Sequence, residues 1–417
     1  MKNLVENFNL GKFFFLILSL SLLVGFYFNE DVSGGSTVDF YNTWDYVLAL
    51  KENYFIGWVE DAHWSLHFPL HYIILSKLNF IITDRYLLRL FFCIVSILVP
   101  FLFYLNLKVK FDYINQNILW FLASLIFILP TFRYSAIWAN DHITALIFFL
   151  LSTLFFLKWE KKANYERLDL NIILQCVFLA LAVYTRQYYA LIFLYFMIIY
   201  FQKLNFKIFI EISIIVLILA LPGLWMGYKH PALIYTIYTT EYYNSLIINS
   251  SIISFYLIPI IFCLIINKKE LFADKKRYLV VGAIFSILLV YLLSNAFNYN
   301  YHVGGGFLLK LSIILFNNNF LFYLSSVLGF IFLIYLSIEN KNNLILLLLL
   351  LFGLSGTYIF QKYFEPMFLF IFFLILSSKL PEEFLKNYKN LVYIYIYVFF
   401  YFASTLINDI FQLTKNI

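Results

Sequence analysis

The chain has 417 residues, of which 63% are hydrophobic and only 12% charged, with a mean hydropathy of +0.85. Soluble domains carry about 25% charged residues, so half that share between long apolar runs excludes an ordinary soluble globule and indicates a polytopic membrane protein. The net charge of +6 does not mark a nucleic-acid binder, because the Lys and Arg sit in short loops between apolar runs, where they set topology.

The first run, residues 11–28 (GKFFFLILSLSLLVGFYF), has a basic flank and no small-x-small cleavage site after it. It reads as a retained span rather than a signal peptide. Further apolar segments fall near 86–106, 115–133, 138–157, 171–185, 187–202, 208–227, 250–267, 278–296, 318–337, 343–360, 366–378 and 391–407. They predict an all-α, polytopic transmembrane bundle of about thirteen spans. No run alternates with period two, which excludes a β-barrel. Cys93, Cys176 and Cys263 each lie inside an apolar run and form no CxxC, so they carry no redox signal.

Residues 29–85 interrupt this pattern with a long polar insert holding Glu30, Asp31, Asp39, Asp45, His63, His67 and His71. Within it PLHYIILSKLNFII, from Pro69, is apolar enough to suggest a span, but the charges argue otherwise. If it does not cross, loops on the N-terminal side outnumber the others in Lys and Arg by roughly two to one, the positive-inside bias. The segment is therefore expected to lie at the interface or re-enter, with Lys77 reaching to the headgroups. The N-terminus is then cytoplasmic and the C-terminus outside. His63, His67, His71, His142, His230 and His302 all fall on or near the outer face. The inner face has basic connectors such as KWEKKANYERLD and NKKELFADKKR. There is no internal repeat and no separate soluble domain.

Chemistry is expected at the outer face. Asp39 and Asp45, in VDFYNTWDY, follow the first span; as a helix their spacing puts them on different faces. They are either solvated loop acids, acids at a helix N-terminus, or catalytic. In RYSAIWANDH, Asp141 opens the fourth span, where an acid is costly and tends to face a cavity or a partner. Asn140 or Asp141 could equally cap that helix. Arg186 lies in the tight turn Thr185-Arg186-Gln187. It suits a phosphate at headgroup level, gripped through two parallel hydrogen bonds, or simply snorkels. Lys229 and His230 follow Leu221-Pro222-Gly223 and could hold an anionic leaving group or anchor the interface. His63, His67 and His71 recur every four residues, as metal ligands can on one helical face. Pro69 breaks that helix, and no metal or other cofactor is expected.

The ordered set of motifs resembles the GT-C superfamily of integral membrane glycosyltransferases. The resemblance is carried by a polar loop after the first span with an early Asp, then His67-Phe68-Pro69-Leu70-His71-Tyr72, then Leu88-Arg89 opening the next span, then Arg133 followed by Asp141. Within that superfamily it is similar to the protein mannosyltransferases and lipid A aminoarabinose transferases. Thr185-Arg186-Gln187 and Gly227-Tyr228-Lys229-His230 look like motifs of the dolichyl-phosphate-glucose glucosyltransferase. The sequence departs from the pattern at Phe40, where an acid often follows the Asp, and at Phe68, which replaces a Pro.

The resemblance covers residues 1–240, a catalytic module, with 241–417 adding further helices to the bundle. It implies a sugar moved from a polyprenyl-phosphate donor to a glycan, lipid or protein acceptor on the extracytoplasmic side, in a bacterial inner membrane. Asp39 and Asp141 are the expected catalytic acids. Asp45, His67, His71, Arg133, His142, Arg186, Gln187, Lys229 and His230 are the expected substrate contacts. A flippase for lipid-linked oligosaccharides, a polysaccharide polymerase or ligase, and a membrane scaffold are the competing readings.

Overall fold

A computed structural model describes residues 9–31, 35–52, 67–162, 167–229, 241–268, 270–356 and 358–415. Those residues form helices and turns, with no strand among them. In chain order the helices are α1 (Leu10–Tyr27), α2 (Ser36–Glu52), α3 (Leu70–Asn79), α4 (Arg85–Val95), α5 (Leu98–Lys110), α6 (Gln116–Ser124) and α7 (Pro130–Ile137). There follow α8 (Asp141–Lys162), α9 (Leu170–Val183), α10 (Ala190–Lys203), α11 (Phe206–Lys229), α12 (Tyr242–Asn267), α13 (Glu270–Ala273) and α14 (Lys276–Ser294). The last are α15 (Phe307–Phe316), α16 (Phe320–Glu339), α17 (Lys341–Gly353), α18 (Met367–Phe370), α19 (Leu380–Leu385) and α20 (Tyr388–Lys415).

Eight of the thirteen expected spans appear as helices long and apolar enough to cross a membrane: α1, α4 with α5, α8, α11, α12, α14, α16 and α20. The expected span 115–133 is instead a pair bent by 67° between Gln116–Ile128 and Pro130–Ile137. Pro130 has no N–H to continue the helix, and it pushes Leu129 into an extended conformation (ψ 122°). Counting that pair, the described residues hold up to nine spans. The segments near 171–185, 187–202 and 343–360 become α9, α10 and α17, of 14, 14 and 13 residues. At 1.5 Å per residue these rise about 20 Å, short of the ~30 Å hydrocarbon. Residues 366–376 form a short, wholly buried helical segment. The insert's α3, only 10 residues long, is likewise too short to cross.

The helices form two compact units. One comprises Met1–Tyr189, Asn205–Met226 and Ile394–Ile417; the other comprises Ala190–Leu204 and Gly227–Tyr393. In the first, α8 packs along α9 and α5, and α1 packs along α6. Gly11 allows the latter contact, since a Cβ there would lie 2.6 Å from the Asn117 carbonyl oxygen. In the second unit α12 packs on α16 through small polar residues. Ser250 pairs with Ser326 at 2.6 Å and Ser251 with Ser325 at 2.5 Å. Gly329 lets the backbones meet there, because any Cβ would strike the Ser250 carbonyl. Close approach at small residues, with hydroxyls bonded across, is how helices associate where lipid removes the hydrophobic drive.

The start of the insert is pinned to the first unit by arginines. Arg133 of α7 donates through Nε and Nη2 to Glu30, both at 2.7 Å. It donates further to the Ser21 hydroxyl, the Ser21 carbonyl and the Phe127 carbonyl. Those contacts use all five guanidinium N–H groups, so Arg133 is a structural clamp, where a substrate contact was expected. Arg89 of α4 donates to the Ile137 carbonyl and to Asn29, with its guanidinium 3.8 Å over the Trp138 ring. Asp31 then starts α2 by accepting from the backbone of Ser36 and Thr37 and from the Thr37 hydroxyl. Burial opposes its charge, but the bonds from Thr37 and Ser36 prevail and hold its carboxyl below the usual range.

The Arg133 and Glu30 side chains are only 5% and 9% exposed. Removing one partner of a buried pair leaves a bare charge and costs about 3–5 kcal/mol. Glu30→Ala should therefore lower the thermal unfolding midpoint in detergent strongly, while Glu30→Leu combined with Arg133→Met recovers most of the loss. Equal midpoints for wild type and Glu30→Ala would show that the clamp carries no such weight.

Candidate active site

The turn between α7 and α8 builds the centre of the site. Ala139 takes a left-handed conformation, φ 48°, so the chain leaves α7 and re-enters α8 within three residues. Trp138 N–H bonds to the Tyr134 carbonyl at 2.9 Å, and Asn140 N–H to the Ser135 carbonyl at 2.8 Å. That pair of bonds closes a helix C-terminus around a left-handed residue, a position usually given to glycine. An alanine there is strained, and such strain is often kept at functional sites. The turn delivers Asp141 to the first turn of α8, where the helix dipole favours an anion.

Arg186 arrives by the antiparallel return. α8 and α9 lie side by side, with Phe155 and Phe178 stacked at 5.6 Å. The chain that leaves α8 at Lys162 therefore comes back to the Asp141 end as α9 finishes. There Arg186 N–H bonds to the Ala182 carbonyl and Thr185 Oγ1 to the Leu181 carbonyl, so the tight turn directs the guanidinium at α8. Arg186 Nη2 lies 2.5 Å from Asp141 Oδ1 and 3.5 Å from Asn140 Oδ1. The side chains of the ion pair are 3% and 5% exposed. Asp141 Oδ2 is buried and has no hydrogen-bond partner among the described residues.

The end of the insert supplies the third wall. Leu70 N–H bonds to the Tyr184 carbonyl at 3.1 Å, and Phe68 packs edge-on to the Tyr184 ring. This seats His67 so that its Nε2 accepts from Arg186 Nη1 at 2.8 Å. A guanidinium can only donate, so His67 presents a lone pair there. Four residues on, His71 is fully buried. Its Nε2 lies 2.9 Å from the Ala139 carbonyl and its Nδ1 2.9 Å from Thr144 Oγ1. A carbonyl can only accept, so Nε2 carries the proton and Nδ1 accepts from the threonine. Both ring nitrogens are engaged by protein, which removes His71 from the alternating-histidine metal set; His63 lies outside the described residues. Among the described residues no group of three or more His, Cys, Asp or Glu could hold a metal.

Five expected residues thus come together: His67, His71, Asp141, His142 and Arg186. His142 Nδ1 is 3.5 Å from Tyr188 Oη, and Gln187 follows Arg186 in the same turn, half-buried. Asp39 sits half-buried in the first turn of α2, next to Phe40, whose ring is 6.1 Å from that of Trp138. Asp45, one and a half turns on, is exposed. Lys229 is exposed at the end of α11 and belongs to the second unit. His230 lies outside the described residues. The members not anticipated are Thr144 and Tyr188. Thr144 stands three residues after Asp141, hence on the same helical face, and that spacing was the available signal.

No protein-family model matches the chain, and neither curated proteins nor solved structures give a significant match.

Burial pushes the His71 imidazole down to about 4, against attraction from Asp141 that favours its charged form. The sign follows directly: the folded state binds this proton less readily than the unfolded state, so nothing is lost above about pH 6.5 and stability falls between pH 6.5 and 4. Between pH 7 and 5 the wild type should lose about 2 kcal/mol more than His71→Gln. Thermal unfolding of both proteins across that range measures the difference. Parallel pH curves would contradict a neutral, buried His71.

Proposed function

We propose that the protein is a membrane glycosyltransferase of GT-C type that moves a sugar from a polyprenyl-phosphate donor to an acceptor outside the cytoplasm, in a bacterial inner membrane. The observation that carries this reading is the convergence of His67, Asp141 and Arg186, separated by 45 and 119 residues in pairs, in one cluster built on a buried ion pair. The charges at the ends of α8 and α9 give its side of the membrane. Their far ends carry Lys158, Lys161, Lys162 and Arg167, and the basic end faces the cytoplasm. The Asp141 end then faces out.

The transfer needs three things from the chain. An acceptor hydroxyl must lose a proton as its oxygen attacks the anomeric carbon, and Asp39 is the base assigned to it. The bond from that carbon to the phosphate oxygen breaks, and Arg186 is the cation assigned to the departing phosphate. Positive charge grows on the sugar ring meanwhile. Asp141, fixed through Oδ1 to its guanidinium, is better placed to face that charge through Oδ2 than to carry off a proton. The burial of the Asp141–Arg186 pair keeps out water that would hydrolyse the donor.

A transport reading has one observation in its favour. Glu365 is 2% exposed within the second unit and accepts from Tyr256 Oη at 2.5 Å, and ionisable groups buried among spans often mark transport paths. The two readings separate in one assay, transfer from radiolabelled polyprenyl-phosphate hexoses in membranes. The glycosyltransferase reading expects labelled product from the wild type. Asp39→Asn should lose about 100-fold or more with normal expression, the usual scale for a general base. Near wild-type transfer by Asp39→Asn would remove Asp39 from the role. Movement of intact donor without transfer would replace the enzyme by a flippase.

A further inference from the structure

The second unit holds a groove of about 490 Å³ between α12, α14 and α16. One wall runs along α14 through Lys276, Leu279 and Ala283, and the facing wall along α16 through Leu328, Ile331 and Tyr335. Both sets recur at three and four residues, so each is one stripe of a helix. The helices run antiparallel here: Lys276 and Tyr335 mark one end, Ala283 and Leu328 the other. Seven residues rise about 10 Å, most of the way through one leaflet of a hydrocarbon layer ~30 Å thick. Gly282 keeps α14 close to α16, since a Cβ there would lie 3.2 Å from Ile334.

The chemistry of the groove changes from one end to the other. Among the described residues Lys276 is its one charged lining residue and no acid lines it, and Tyr335 shares that end. The neighbouring cations are arranged unequally. Lys275 pairs with Glu339 at 3.4 Å, and Lys268 pairs with Glu383 at 3.8 Å. Lys276 and Arg277 have no ion pair among the described residues, and Asp274 in the preceding turn pairs with neither. An apolar trough headed by Lys276, with Arg277 next to it in sequence though not in the lining, matches an amphiphile with one anionic head.

We infer that this groove seats an acyl chain of an anionic membrane phospholipid, with its phosphate against Lys276 and Arg277. The tail lies along Leu279, Ala283, Leu328 and Ile331. The site is independent of the glycosyltransferase reading, because it uses no residue of the Asp141 cluster. It would hold an anionic lipid in preference to a zwitterionic one, through the attraction of juxtamembrane cations for acidic headgroups.

Native mass spectrometry of the delipidated full-length protein, loaded with phosphatidylglycerol or phosphatidylcholine, tests this. The wild type should retain phosphatidylglycerol about fivefold better. Lys276→Glu should abolish that preference and leave phosphatidylcholine unchanged. Ala283→Phe, which fills the trough without touching the charges, should reduce retention of both. Equal retention of the two lipids by the wild type overturns the proposal, as does an undiminished preference in Lys276→Glu. Exclusive retention of undecaprenyl phosphate, with phosphatidylglycerol washed away, overturns it in favour of a carrier-lipid site.

Discussion

A carboxylate and a guanidinium buried together constrain everything near them. Asp141 and Arg186 are almost wholly withdrawn from water, and such a pair is costly unless neighbouring groups offset the desolvation. The N-terminus of α8 provides favourable dipoles, His67 accepts from one arm of the guanidinium, and Asn140 lies beside the other. Each of these fixes a segment. The register of α9 against α8 is set by where Arg186 must reach. The path of the chain into α3 is set by where His67 must accept.

The same device recurs at the other end of the insert. Glu30 and Asn29 are taken by Arg133 and Arg89, and Trp138 Nε1 donates to the Glu30 carbonyl. His71 is bonded to the Ala139 carbonyl of the same α7–α8 turn. Residues 29–31 and 67–71 are therefore both tied to one turn of the first unit. Three arginines bind acceptors distant in sequence, and all three contact this turn or the helices that flank it. Between those ties α2 packs along α3, with Lys51 donating to Asn79 and the Tyr46 ring against that of Tyr72.

Much of this was legible in the sequence. Asp141 stood out because an acid at the head of an apolar run must find a partner, and Arg186 because a tight turn leaves it nowhere to go. The insert's histidines followed from their place beside Pro69. Pairing was not legible, because periodicity describes one helix at a time and says nothing of which turn meets which. Hence Arg133 and Arg186 looked alike. One is saturated by Glu30, Ser21 and Phe127, and the other faces Asp141. The count of about thirteen spans is not confirmed: apolarity was legible, but α9, α10 and α17 are apolar and yet only 14, 14 and 13 residues long.

The short helices and the polar cluster are two sides of one constraint. α9 rises about 20 Å and α7 is cut off by the bend at Pro130, so the chain turns at 138–140 and 184–187 after helices shorter than a full span. Non-helical backbone withdrawn from water survives only where protein covers it or a cavity is lined by it. The Trp138–Asn140 and Tyr184–Gln187 turns meet that demand with each other and with residues 67–71. Their backbone groups are bonded to α3, α7 and α9, and their charges to each other. Two ordinary helix ends thus become one buried site, because the carboxylate of one turn and the guanidinium of the other meet there.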